Sequence, residues 1–289
     1  MSAVNGCIPS LLLIIAQRDC TKSILSTFSD DEDGSLADLN HLVIVPGHAI
    51  WQGANAEHRL DDSLWILEPY QRGGGHLEAF YQHIAHAAKL SLQDKHSLLV
   101  FSGGQTRQGS TTTEAESYMR LALQSGVLPN TSQPIRTTTE NYALDSYQNL
   151  LFSIARFHEY TGIYPSKITV VGYEMKRRRF TDLHRAAIRW PKNRFEYLGI
   201  DSIYDEDSVV ALEKEGHVRR SFEKDLYGCH SDLLQKRRAR NRYRRFHPYH
   251  TSSPVLRRLL EWCEPALYNG ILPWSPGGLG MLPEWRLIE

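Results

Sequence analysis

The sequence predicts an α/β protein, a Rossmann-like three-layer α/β/α domain with a mostly parallel sheet, followed by a helical C-terminal extension. Three observations carry that expectation. Short runs rich in Val, Ile and Leu, without strict alternation, recur between His41 and Leu198, as strands covered on both faces require. Amphipathic helical patterns separate these runs, and such alternation favours parallel strands joined by right-handed crossovers with helices on both faces. Beyond about Asp205 the strand pattern stops and the chain becomes polar, basic and helical.

The elements follow in order. Ile8–Ala16 (IPSLLLIIA) is about half the roughly 20 apolar residues of a spanning helix. It also lacks the basic flank of a signal peptide, so it reads as a buried N-terminal helix. Ser29–Asp38 (SDDEDGSLAD) is acidic and poor in apolar residues, an exposed linker that closes an N-terminal segment of residues 1–40. The α/β domain, residues 41–204, takes strands at His41–Pro46, Ser97–Phe101, Pro134–Thr137, Lys167–Val171 and Phe195–Leu198. Helical patterns cover His76–Leu90, Thr113–Gln124, Ala143–Tyr160 and Arg178–Trp190. Residues 205–289, punctuated by Pro248, Pro254, Pro265, Pro273 and Pro276, form an extension expected to pack on the sheet domain.

Bulk composition excludes some classes of function. Lys+Arg and Asp+Glu both total 33, so no global field draws the chain toward nucleic acid or a membrane. Cys7, Cys20, Cys229 and Cys263 make no CxxC pair. That spacing argues against a zinc knuckle and against a disulfide framework, and it suits a reducing, cytoplasmic setting. His83 and His86 share a helix face without a Cys or acidic partner at ligand spacing, so no metal site is expected. Gly73-Gly74-Gly75 lacks the Lys-Ser/Thr of a P-loop and reads as a flexible loop. No cofactor is specified.

The chemistry concentrates after the strands. Pro46, Gly47 and His48 follow the first, and Ser102, Gly103 and Gly104 the second. Thr138, Thr139 and Glu140 follow the third. Gly172, Tyr173 and Glu174 follow the fourth, ahead of the basic run Lys176-Arg177-Arg178-Arg179. In an open parallel sheet these points share one edge, where ligands bind. Glycines there let backbone N–H groups approach a ligand, and helix N-termini favour negative charge. Thr112 or Thr113 is placed to cap the helix after the second turn. No G-x-S-x-G is present, so Ser102 does not read as a nucleophile elbow.

The order of these motifs resembles the YdcF/SanA-like family, also called domain of unknown function 218, and most nearly a eukaryotic, fungal branch of it. Ser102-Gly103-Gly104 matches its second turn, Thr113-Glu114-Ala115 its Ser-Glu-Ala step, and Glu140 its isolated glutamate. Ser146 matches its hydroxyl position, Gln148-Asn149 its Glu-Asn pair, and Arg179 its arginine. The resemblance covers roughly residues 41–190, and it implies the Rossmann-like fold and a pocket at the sheet edge. Two departures stand out. The first turn has Gly47 followed by His48 where the family has several glycines, and Lys176 stands where the family usually has His. The latter exchanges a group that titrates near neutrality for a fixed cation.

Two functions fit these residues. In the first, an anionic or nucleotide-like small molecule binds at the sheet edge. Gly47, Gly103 and Gly104 supply N–H groups, while Arg107, Lys176 and Arg179 supply charge. Glu114 and Glu140 orient a hydroxyl, amine or water and offer a general base. His48, Ser102, Thr113, Ser146 and Asn149 complete the lining, and a transferase or hydrolase of phosphorylated substrates would suit the set. In the second, the chain is a non-catalytic interaction protein whose basic run, Lys236–Arg245, binds a partner or an acidic membrane surface. That run otherwise reads as a solvated or internally paired helix, or as an arm that folds back and lends arginines to the pocket.

Overall fold

β1 (His41–Pro46) is the central strand of a five-stranded sheet of order β5–β4–β1–β6–β7, and every pairing in it is parallel. The computed structural model describes residues 36–73, 75–129, 136–201 and 208–275. The expected N-terminal helix, most of the acidic linker, Cys7, Cys20, Gly74, Pro134, Asp205 and Pro276 lie outside the described residues. From Leu39 onward the described chain belongs to one compact unit.

β4 (Ser97–Ser102) pairs with β1 from His41↔Ser97 to Pro46↔Ser102, and all six residues of each strand are buried. Helices on both faces explain their unbroken apolar character. β6 (Lys167–Gly172) flanks β1 on the other side, with β7 (Phe195–Gly199) outside it. β2 (Ile50–Trp51) and β3 (Trp65–Ile66) form a separate small antiparallel pair. α1 (His76–Gln93) joins β3 to β4, α2 (Glu114–Gln124) joins β4 to β5, and α3 (Ser146–Thr161) joins β5 to β6. Right-handed crossovers place α1 and α2 on one face, where they touch each other, and α3 on the opposite face.

Two elements differ from expectation. β5 is Thr137–Glu140, three residues later than the apolar run that suggested Pro134–Thr137. It is an edge strand of three threonines and a glutamate, and an edge strand needs no continuous apolar run. Arg156 of α3 holds it, donating to the Thr139 carbonyl and the Thr138 hydroxyl. The expected helix over Arg178–Trp190 is instead a π-helical segment, Arg179–His184, followed by a single turn, Arg185–Ala187.

α4 (Ser208–Lys224) and α5 (Ser231–Arg240) lead the C-terminal extension, which contains no strand among the described residues. Phe222, Tyr227, Leu233, Tyr249, Leu256 and Trp274 are buried. Tyr227 donates to the Ala187 carbonyl and Trp274 Nε1 to that of Ile188. The extension is therefore fastened to the C-terminal end of the π segment. A disulfide joins Cys229, in the α4–α5 turn, to Cys263. This corrects the reading of widely spaced cysteines as unpaired: residues 34 apart in sequence meet because the extension doubles back.

Candidate functional site

A cavity of about 140 Å³ opens where the chain leaves β1 and β6, the two strands between which the direction of winding reverses. Such switch points leave a crevice between diverging crossovers. Gly47 and His48 enter it from β1, Tyr173 and Lys176 from β6, and Arg179 from the π segment. Glu114 contributes from the start of α2, and Asp145, Ser146 and Asn149 from the start of α3. The extension closes the remaining side with Lys214 and Glu215 of α4 and Lys236 and Arg240 of α5.

Of the residues singled out from sequence, Gly47, His48, Arg107, Glu114, Ser146, Asn149, Lys176 and Arg179 line this cavity. Ser102, Gly103, Gly104, Thr113 and Glu140 do not; they form the wall behind it. Thr113 caps α2 by accepting from the Glu116 N–H. Asn149 Nδ2 donates to the Ser102 carbonyl, and the Ser102 hydroxyl donates to Glu140 at 2.8 Å. Glu140 also accepts from the Tyr142 and Ala143 N–H groups and from the Tyr249 hydroxyl. It is fully buried and works as the buckle between β5 and the extension, not as a base facing a ligand. Burial pushes its carboxyl up to about 7 against the four donors.

The glycines also act differently from expectation. The N–H groups of Gly47, Gly103 and Gly104 donate to the carbonyls of Ser102, Glu140 and Ala143, so none is free for a ligand. What these residues provide is room. A Cβ on Gly47 would sit 2.5 Å from Glu114 Cβ, and one on Gly104 2.9 Å from the Ala143 carbonyl oxygen. The small residues let the start of α2 press against two strand ends, which turns the Glu114 carboxylate toward the cavity. Thr106 donates to one of its oxygens.

Positive charge dominates the lining: six Lys and Arg side chains against the carboxylates of Glu114, Asp145 and Glu215. Some of this charge is internally paired. Arg179 meets Glu215 at 3.0 Å with both side chains buried, Arg107 meets Glu68, and Asp145 meets Arg237 of α5. Arg107 also donates to the His48 carbonyl, which fixes the first turn. Lys176 has no carboxylate within ion-pair distance among the described residues. Its Nζ lies 3.2 Å from His48 Nδ1 and 5.3 Å from the Tyr173 ring centre. Burial, and then the Arg179 cation, lower its ammonium to about 7. The sequence reading of Lys176 as a fixed cation is therefore corrected, because in this surrounding it titrates near neutrality.

His48 packs against Phe80, His83 and Tyr173; burial, followed by the nearby Lys176, holds it neutral, well below the usual imidazole range. His83 spends Nε2 on the Ile200 carbonyl. His184, which no sequence pattern singled out, bonds Ser146 through Nε2 at 2.8 Å and is also held neutral by burial and then by Arg179. Asp145 and Glu215 were likewise missed as lining. The basic arm, one of whose readings was to fold back and lend arginines to the pocket, does bring Arg240 there, with Lys236 beside it. Lys236 and Arg240 carried a usable signal, since a spacing of four puts them on one helical face. Glu215 carried none.

No protein-family model matches the chain, and no solved structure matches it. Among curated proteins it is similar to "Uncharacterized protein YOR238W" of Saccharomyces cerevisiae, at 31% identity over 262 residues. The match covers 72% of this chain and 86% of the yeast protein.

Proposed function

We propose that this chain, which belongs to the family of the yeast protein YOR238W, binds a small anionic or nucleotide-like molecule, foremost a phosphorylated one, in the cavity at the carboxyl edge of its sheet. The observation that carries this reading is the excess of cationic over acidic side chains around a single cavity at the winding switch point. Such an excess in a partly enclosed space is costly unless an anion neutralises it. The YdcF/SanA-like resemblance is part of the same proposal. It is supported by the motif order, and by Glu114, Ser146, Asn149 and Arg179 lining one cavity. As an enzyme the chain would be a transferase or hydrolase of phosphorylated substrates, with Glu114 orienting the attacking hydroxyl or water.

The test is thermal unfolding with inorganic phosphate, ribose 5-phosphate, AMP and ATP, each against its uncharged counterpart. At least one anion is expected to raise Tm by several degrees, by mass action on the folded state. Arg179→Met and Lys176→Met should each weaken that shift. No shift with any of the anions would remove the basis of the proposal.

A second reading has its own observation. Arg238, Arg242, Arg244 and Arg245 are exposed, and Phe246 is 70% exposed beside them. This half of the basic run faces away from the cavity and suits an acidic partner or membrane surface. Arg242→Glu/Arg244→Glu/Arg245→Glu separates the readings, because it spares Lys236, Arg237 and Arg240. Loss of salt-sensitive vesicle or partner binding with an unchanged anion shift would favour the interaction protein.

Among the described residues no helix is long and apolar enough to cross a membrane. A cytoplasmic location belongs to the proposal, and the Cys229–Cys263 disulfide weighs against it.

A further inference from the structure

We propose that Lys176 is a carbonyl-reactive amine, and that the molecule bound here is a small phosphorylated aldehyde or ketone held as an imine on Nζ. The inference deepens the anion-site reading and rests on it. Four features of the geometry support it.

First, the side chain lines the cavity and is only partly exposed, so a ligand reaches Nζ while bulk water does not surround it. Second, no carboxylate among the described residues pairs with it, and Glu215 of the extension instead holds Arg179 at 3.0 Å. Third, cations stand beside it. Arg179 one turn on and Lys236 of α5 both disfavour its ammonium, with Glu215 and Glu114 opposing them in part, and burial outweighs all four. The nearest polar atom is His48 Nδ1, at 3.2 Å. A lysine desolvated beside other cations is the arrangement that frees an amine lone pair at neutral pH. Fourth, Lys236 and Arg240, which have no carboxylate partner among the described residues, leave a place for the phosphate on the same cavity.

The chemistry balances without an outside oxidant or reductant. The neutral amine adds to the carbonyl carbon, the C=O π bond opens, and one N–H proton passes to the oxygen to give a carbinolamine. The second N–H proton passes to that hydroxyl, the C–O bond breaks to release water, and the nitrogen electron pair completes the C=N double bond. His48 Nδ1 accepts a hydrogen bond from the nitrogen and so orients its lone pair, while Glu114, on the same cavity, is available to orient the departing water.

The experiment uses pyridoxal 5′-phosphate as probe, with pyridoxal as the form lacking phosphate. Borohydride then reduces the C=N bond to a stable secondary amine, and labelled lysines are mapped by mass spectrometry. Lys176 is expected to label at least about tenfold faster at pH 7 than the exposed Lys89, Lys95 and Lys224. Its rate should rise with a midpoint near 7, inorganic phosphate should slow it, and pyridoxal should label it more slowly. Lys176→Arg should abolish the fast label. If Lys176 labels no faster than Lys89 while phosphate still raises Tm, the amine inference is overturned and the anion site stands. If phosphate neither protects Lys176 nor raises Tm, both fall.

Discussion

Glu140 shows how a residue chosen correctly can be assigned the wrong work. Its type and its place after a strand marked it for a site, but the sequence could not show that Tyr249, 109 residues later, would deliver a hydroxyl to it. Because burial raises its carboxyl from 4.5 to about 7, the folded protein holds a proton there that the unfolded chain gives up. Its contribution is fully present below about pH 4.5 and is lost as pH rises through 7, roughly 3 kcal/mol in all. Urea unfolding at several pH values should show that decline, and Glu140→Gln should flatten it. A variant with an unchanged slope would mean that the carboxylate is ionised throughout. Gly47 illustrates the converse, a correct position with a different physical reason. Gly47→Ala should cost about 1–3 kcal/mol through overpacking. Glu114→Ala should not rescue it, since the atom in the way is Glu114 Cβ, which alanine keeps.

At the scale of elements, β1, β4 and β6 were legible because buried parallel strands are apolar almost throughout, and their C-terminal turns followed from that. β7, an edge strand with an exposed Glu196, showed only the short run of Phe195, Tyr197 and Leu198. β5 was not legible, since Thr137, Thr138 and Thr139 sit at a sheet edge where apolar content is not required. Nor was the π segment, because a register change of one residue leaves no mark in an apolar pattern. α5 was legible as a charge run, and a return to the pocket was one of its readings, but what pins it there was not. Its purpose emerges only from Asp145, which caps α3 through the Gln148 N–H and pairs with Arg237. Burial works to raise the Asp145 carboxyl, but Arg237 and the Gln148 N–H hold it below the usual range. Arg237→Met should therefore leave a buried carboxylate unpaired and cost about 3–5 kcal/mol by chemical denaturation. Adding Asp145→Asn should recover part of that loss. The single variant should also weaken the anion-induced shift, because Lys236 and Arg240 ride on the same helix.

For the molecule as a whole, the sheet domain supplies most of the cavity and the extension closes its remaining side, so whatever holds the extension down also holds the site together. Tyr227, Tyr249 and Trp274 do this by packing and hydrogen bonds, and the Cys229–Cys263 bridge ties the turn that leads into α5. The spacing of the cysteines could not disclose this, since pairing depends on a chain reversal that only the tertiary fold creates. A bridge across 34 residues removes about 4 kcal/mol of loop entropy from the unfolded state. At about 2–4 °C per kcal/mol, its loss should lower Tm by on the order of 10 °C. Cys229→Ser and the wild type in a strong thiol reductant should fall by the same amount, and Cys229→Ser should be indifferent to the reductant. A reducing cytoplasm would keep the pair open, so the reduced form is the relevant one if the chain works there. The decisive measurement is then anion binding with and without reductant. Equal affinity in both states would show that packing alone positions Lys236 and Arg240. Weaker binding on reduction would make the bridge part of the site's architecture and would count against a cytoplasmic location.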